Sequence, residues 1–209
     1  MKYYLCFILL GILITSAYAE IDPSAVGEIR SLTQYILELN NYKYTLTSVT
    51  FKNRKQHRNV MLYYYDRPDK IRIEWLEPRK LRGQLAVYNQ GVMKAAPSWL
   101  PFVIEVNPDS SLGMADFNYP IYNSTLGHLM SKVVDELDLA HTVRVIEKTD
   151  SSIVYEVIND QNRAKIKVNT AINIPVYIEQ YDLKGQLVDG GYFDDVKANI
   201  SYSDGFFDL

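Results

Sequence analysis

Tyr65-Asp66-Arg67-Pro68-Asp69-Lys70-Ile71-Arg72-Ile73-Glu74-Trp75 carries the pattern from which the rest of the chain can be read. After Pro68, Ile71, Ile73 and Trp75 alternate with Lys70, Arg72 and Glu74, the period of a half-buried strand. One face of such a strand offers apolar bulk to an interior and the other sits in water. That arrangement is typical of an antiparallel sheet covered on one side only.

The same period of two extends in both directions. Strands are expected over 42–51, 59–65 and 69–75, then over 84–88, 92–95 and 102–106, with Asn89-Gln90-Gly91 as a turn between two of them. Further strands are expected over 142–147, 153–158, 163–170, 176–181 and 191–197, with a turn at Asp182-Leu183-Lys184-Gly185. Two segments change period. Val26, Ile29, Leu32, Ile36 and Leu39 recur at helical steps behind Asp22 or Ser24 as cap. Leu126, Leu129, Met130, Val133, Val134 and Leu137 do the same behind Ser124. Four prolines between Ala95 and Tyr122 argue against regular structure there. Together these elements predict an α+β fold: a strongly curved antiparallel sheet, an unclosed half-barrel, with helices covering its concave face.

The first nineteen residues read as a cleaved export signal. Lys2 precedes an apolar run from Leu5 to Ile14, and Ala17-Tyr18-Ala19 gives the small-x-small cleavage pattern. Cleavage after Ala19 would leave 190 of the 209 residues as a single domain, 20–209, without its one cysteine, Cys6. Disulfides and thiolate chemistry would go with it. Loss of Lys2 would take the formal charge from −3 to −4, which argues against nucleic acid as a partner.

Catalytic signals are poor. His57, His128 and His141 fall in separate elements, with no metal-ligand spacing and no nucleophile elbow. The acidic groups Glu74/Glu77, Asp135-Glu136/Asp138 and Asp194-Asp195 read as solvated surface. No enzyme activity, metal or cofactor is expected. Arg163, Lys165 and Lys167 form an outward cationic row, read as a solvated face.

Several motifs, in order, resemble the LolA/LolB type of periplasmic lipoprotein carrier. They are Arg67-Pro68 leading to Trp75; Leu85-Ala86-Val87-Tyr88-Asn89-Gln90-Gly91; and Asp182-Leu183-Lys184-Gly185 followed by Phe193-Asp194-Asp195-Val196-Lys197-Ala198-Asn199. The resemblance implies a half-barrel whose apolar cavity receives the acyl chains of a lipoprotein or phospholipid. It also implies a periplasmic location, an inner-membrane donor, an outer-membrane acceptor and a monomeric carrier. Arg67 takes the place of a family arginine that bonds to the lid and governs opening. A regulatory module on the same fold, sensing lipid or lipoprotein or binding a partner, is the alternative. The apolar stretch 99–104 departs from a simple loop.

An acyl-chain groove needs apolar and aromatic lining without unpaired charge. The residues expected to supply it are Leu62, Tyr64, Ile73, Trp75, Val87, Met93, Trp99, Phe102, Met114, Phe117, Leu129, Met130 and Val133. Plain core is the competing role for each, since inward residues of any curved sheet are apolar. At about 0.8 kcal/mol per buried methylene, one long chain would gain on the order of 10 kcal/mol. Release therefore requires an opposing term such as lid contacts broken on loading.

Overall fold

Tyr44, Tyr63, Ile73, Ala86, Ala95 and Ile104 stand side by side in one row across six neighbouring strands. The row comes from a computed structural model of the protein, which describes residues 20–52, 55–113 and 119–209. The expected export signal lies outside those residues.

In chain order the elements are β1 (Glu20–Ile21), α1 (Pro23–Glu38), β2 (Asn41–Lys52), β3 (Lys55–Asp66), β4 (Lys70–Glu77), β5 (Leu85–Asn89), β6 (Val92–Ala96) and β7 (Ile104–Val106). After a single 3-10 turn at Ile121–Asn123 come α2 (Leu126–Leu137), β8 (Thr142–Lys148), β9 (Ser152–Ile158), β10 (Arg163–Asn169), β11 (Ile174–Tyr181) and β12 (Leu187–Ala198). Two meanders, β8 to β12 and β2 to β7, join where β12 pairs with β2, making one twelve-stranded sheet. Every pairing is antiparallel except that of β1 with β8. β1 and β7 form the two free edges, so the half-barrel does not close. Register shifts at Val60/Met61, Val145/Glu147, Lys167/Val168 and Asp194/Lys197 bend the strands, as bulges do.

Both helices lie on the inner face. Asp22 caps α1 by accepting from the Ser24 amide at 2.8 Å, with Pro23 at the first helical position. Thr125, not the expected Ser124, caps α2, accepting from the His128 amide at 3.1 Å. Ser124 is occupied elsewhere: its hydroxyl donates to the Ile121 carbonyl at 2.7 Å and meets the Tyr63 hydroxyl at 2.8 Å. The Leu126 amide, at the start of α2, donates to the Tyr42 hydroxyl at 3.1 Å. Two buried tyrosines of the sheet thus hold the entry of α2. Burial pushes both hydroxyls well above the usual tyrosine range, so they stay neutral. Stacked ring pairs, Tyr42 on Tyr65 at 4.8 Å and Tyr44 on Tyr63 at 4.9 Å, fill the centre beneath the helices.

The outer face is not all water. The segment after β12 folds back across it, with Tyr202 stacked on Phe206 at 4.9 Å and Phe206 edge-on to Tyr64 at 5.0 Å. Arg72 lies over the Phe206 ring and donates to its carbonyl at 3.0 Å. On the other half of the sheet, fully buried Glu156 is held between Arg144 and Arg163.

Candidate functional site

The inner row ends in a cavity. Beyond α2, β4 to β7 form this end of the sheet, and residues of 97–100, 112–113 and 121 pack over it. Between the sheet and these residues lies an apolar cavity of about 360 Å³. Its floor is Ile73, Trp75, Ala86, Met93 and Ala95; Ile104 and Val106 form one wall, and Leu100, Leu112 and Ile121 the roof. Among the described residues, Gln84 is the one polar side chain in the lining and no charged group is part of it. Trp99 and Leu112 stand at the mouth, 72% and 73% exposed. The volume is at the lower end of the range that holds small ligands.

Local sequence accounts for this shape. Ala86 and Ala95 occupy inner-row positions where Tyr44 and Tyr63 fill the neighbouring strands. Replacing rings by methyl groups along the same row leaves space over β5 and β6. Pro97 and Pro101 stop β6 from extending into β7, so the chain loops out over the space. Gly113 allows the closure: a side chain there would put its Cβ 2.3 Å from the Pro108 carbonyl oxygen. The Ile121 amide then donates to the Gly113 carbonyl at 3.0 Å, joining the two ends of the roof.

Of the expected lining residues, Ile73, Trp75, Met93 and Trp99 meet at this cavity. Phe102 is 57% exposed beside it and does not line it. Met130, on the inner face of α2, is fully buried core, whereas Leu129 and Val133 border a separate space of about 40 Å³ with Tyr119, Ile178 and Phe193. Met114 and Phe117 lie outside the described residues.

Leu62, Tyr64 and Val87 are placed on the other face. Tyr64 pairs with Arg72, Arg72 with Val87, and Val87 with Lys94, all in the outward row. Leu62 likewise pairs with Glu74. The inward residues of these strands are Met61, Tyr63 and Ala86. The parity of β3 is ambiguous because Tyr63, Tyr64 and Tyr65 are consecutive and aromatic. The outer face is apolar here because the C-terminal segment covers it.

Arg67 is exposed, and among the described residues no acceptor bonds its guanidinium. Its backbone amide donates to the Asn40 carbonyl at 2.7 Å, fastening the β3–β4 turn to the end of α1. That is a contact at the junction of α1 with β2, remote from the roof.

Among the described residues no cluster of histidine and carboxylate has the makings of a metal site. Burial and nearby Lys132 lower the His128 pKa, and the ring lies edge-on to Tyr119 at 6.0 Å, with Nε2 unpartnered among the described residues. A larger cleft of about 640 Å³ runs between α1 and β9–β10, but its lining is mixed, with Ser24, Glu28, Ser31 and Thr170 beside Leu32, Ile153 and Val168. There the Tyr155 hydroxyl donates to Glu28 at 2.5 Å. It suits an acyl chain far less than the smaller space.

No protein-family model matches the chain, and no curated protein matches it in sequence. Its likenesses are structural. MucB superposes on 90% of this chain with a TM-score of 0.60 at 10% identity, and the chain spans 63% of that protein. MucB in its complex with MucA, from Pseudomonas aeruginosa, gives 0.52 at 12% identity over 89% of this chain and 61% of that one. A conserved protein from Thermus thermophilus gives 0.54 at 10% identity, over 88% of this chain and 93% of its own. The unclosed half-barrel of this chain is the fold it shares with MucB and the Thermus thermophilus protein. A LolA superfamily protein from Nitrosomonas europaea also aligns, over 88% of this chain and 97% of its own at 12% identity, with a looser TM-score of 0.46. At these identities the likeness is one of fold. No helix among the described residues is long and apolar enough to cross a membrane.

Proposed function

We propose that this protein is a non-catalytic periplasmic carrier that shelters an acyl chain of a lipoprotein or phospholipid beneath the roof formed by Leu100, Leu112 and Ile121. The observation that carries the proposal is the lining of the 360 Å³ cavity, in which Gln84 is the one polar side chain among the described residues and Trp99 and Leu112 flank the mouth. A polar ligand would find almost no hydrogen-bond partner there and would be rejected. A methylene chain loses nothing and gains about 0.8 kcal/mol per group buried. The floor is rigid sheet, while the roof is loop, so entry and release fall to the roof. The Arg67 backbone amide anchors the β3–β4 turn at the α1 junction, and its exposed side chain is left for the gating role. Passage from an inner-membrane donor to an outer-membrane acceptor is the transfer step that such a carrier would serve.

Native mass spectrometry of the protein produced in a diderm bacterium tests this. Co-purified mass identified as an acylated molecule is expected, and it should vanish in Ala95→Trp, which fills the floor. A clean apo mass, with no uptake from acylated peptides, would leave the cavity as imperfect packing.

A second reading has its own support: MucB, whose fold this chain shares, is also solved bound to MucA. On that reading the protein binds a partner chain and acts as a sensing or regulatory module. A pull-down that recovers one partner equally well with the protein and with Ala95→Trp would favour it.

A further inference from the structure

The rim that holds the cavity mouth has a second property: it combines exposed apolar side chains with unopposed cations. Because Leu85 pairs with Ala96, the β4–β5 loop (78–84) and the β6–β7 loop (97–103) emerge side by side at one end of the sheet. Gln84 and Trp99 both border the cavity, which places the two loops at its rim. The second loop presents Trp99, Phe102 and Val103, 72%, 57% and 43% exposed, with Leu112 at 73% close by. So many large apolar side chains on one protrusion are not ordinary surface. The first loop carries Arg79, Lys80 and Arg82, all exposed. From residue 78 to 103 the sequence contains no acidic residue; Glu77, which precedes it, is paired with Arg58, and the exposed Glu105 follows it. The Arg82 Nε–H donates to the Leu76 carbonyl at 3.0 Å, which turns that guanidinium along the rim.

We infer that this rim docks on an anionic lipid bilayer, with Trp99 and Phe102 entering the interface and Arg79, Lys80 and Arg82 meeting the headgroups. Tryptophan is the side chain most at home at the depth where headgroups meet acyl chains. Each cation close to an anionic surface strengthens binding several-fold, and apolar insertion adds to it. A protein partner would be expected to meet the cations with carboxylates of its own. A bilayer supplies both the apolar layer and the negative charge in the order in which the rim displays them. The docked pose puts the cavity mouth at the membrane surface. The inference does not depend on what the cavity holds.

Vesicle flotation tests it. The protein should float with phosphatidylethanolamine vesicles containing phosphatidylglycerol and bind phosphatidylcholine vesicles weakly, and salt should release it. Replacing Arg79, Lys80 and Arg82 together by Gln should weaken binding to the anionic vesicles by on the order of 100-fold. Brominated lipid should quench the fluorescence of the natural chain, and that quenching should be lost in Trp99→Phe. All these side chains are exposed, so circular dichroism should show each variant folded. Absence of flotation, quenching unchanged in Trp99→Phe, or self-association through this patch in lipid-free sedimentation would each overturn the inference. Ala95→Trp separates the two proposals: it should lose acyl loading and keep vesicle binding.

Discussion

Tyr42, Tyr44 and Tyr63 are each 1% exposed, sit within one stacked aromatic group and differ in what their hydroxyls meet. Replacing each in turn by Phe removes the same atom from three environments. The Tyr42 oxygen accepts from the buried Leu126 amide, an N-terminal donor of α2 that has no intrahelical partner. Tyr42→Phe strands that amide and should cost about 1–3 kcal/mol. Tyr63 meets Ser124, whose hydroxyl keeps its bond to the Ile121 carbonyl after the change. Tyr63→Phe should therefore cost only the net value of one hydrogen bond, about 0.5–1.5 kcal/mol. The Tyr44 hydroxyl has no partner among the described residues. Tyr44→Phe should be neutral or stabilising, because it relieves a buried unpaired polar group. Urea unfolding of the three variants, with slopes equal to that of the parent, gives the order directly. Equal costs, or a destabilising Tyr44→Phe, would refute the claim that tyrosine hydroxyls hold the entry of α2.

Other expectations follow from charge and close packing. Burial raises the Glu136 pKa despite the Asn162 amide beside it, and one of its oxygens is unpartnered among the described residues. Its ionised form thus opposes folding, so Glu136→Gln should raise the urea midpoint at pH 7, and the gain should vanish once pH falls below the ordinary glutamate value of about 4.3. Glu156 is the opposite case: burial pushes its carboxyl up, but Arg144 and Arg163 outweigh burial and hold it below the usual range. Its contribution is fully present above the unfolded value and is lost as pH falls through the lower folded one, so Glu156→Gln should destabilise at pH 7 and much less in acid, as paired urea titrations would show. Gly113→Ala forces the roof away from the Pro108 carbonyl and should cost about 1–3 kcal/mol; thermal unfolding and faster exchange of bound acyl probe would report it.

The sheet was legible because β4 and β10 alternate cleanly: Ile71, Ile73 and Trp75 in one, Ala164, Ile166 and Val168 in the other, all point inward as their period demands. Both helices announced themselves through apolar spacing, although the cap of α2 lay one residue further on because Ser124 is drawn to Tyr63. Two features resisted. The side of β3 could not be read from three adjacent tyrosines, since whether a ring faces core or solvent depends on a C-terminal segment far away in sequence. The cavity floor depends on Ala86 and Ala95, and a small residue signals space only when its neighbours across the sheet are known to be rings. Trp75, Met93 and Trp99 were found through size and apolarity; the roof residues Leu112 and Ile121 sit among prolines, where no period exists to read.

Photo-crosslinking with a fatty acyl chain carrying a diazirine near its methyl end tests the acyl-binding reading most directly. Adducts are expected on the peptides that contain Ile73, Met93 and Ala95 and on those containing Leu112 and Ile121, and Ala95→Trp should abolish them. Adducts confined to the cleft between α1 and β9–β10, at Tyr35 or Tyr155, or labelling unchanged by Ala95→Trp, would contradict it.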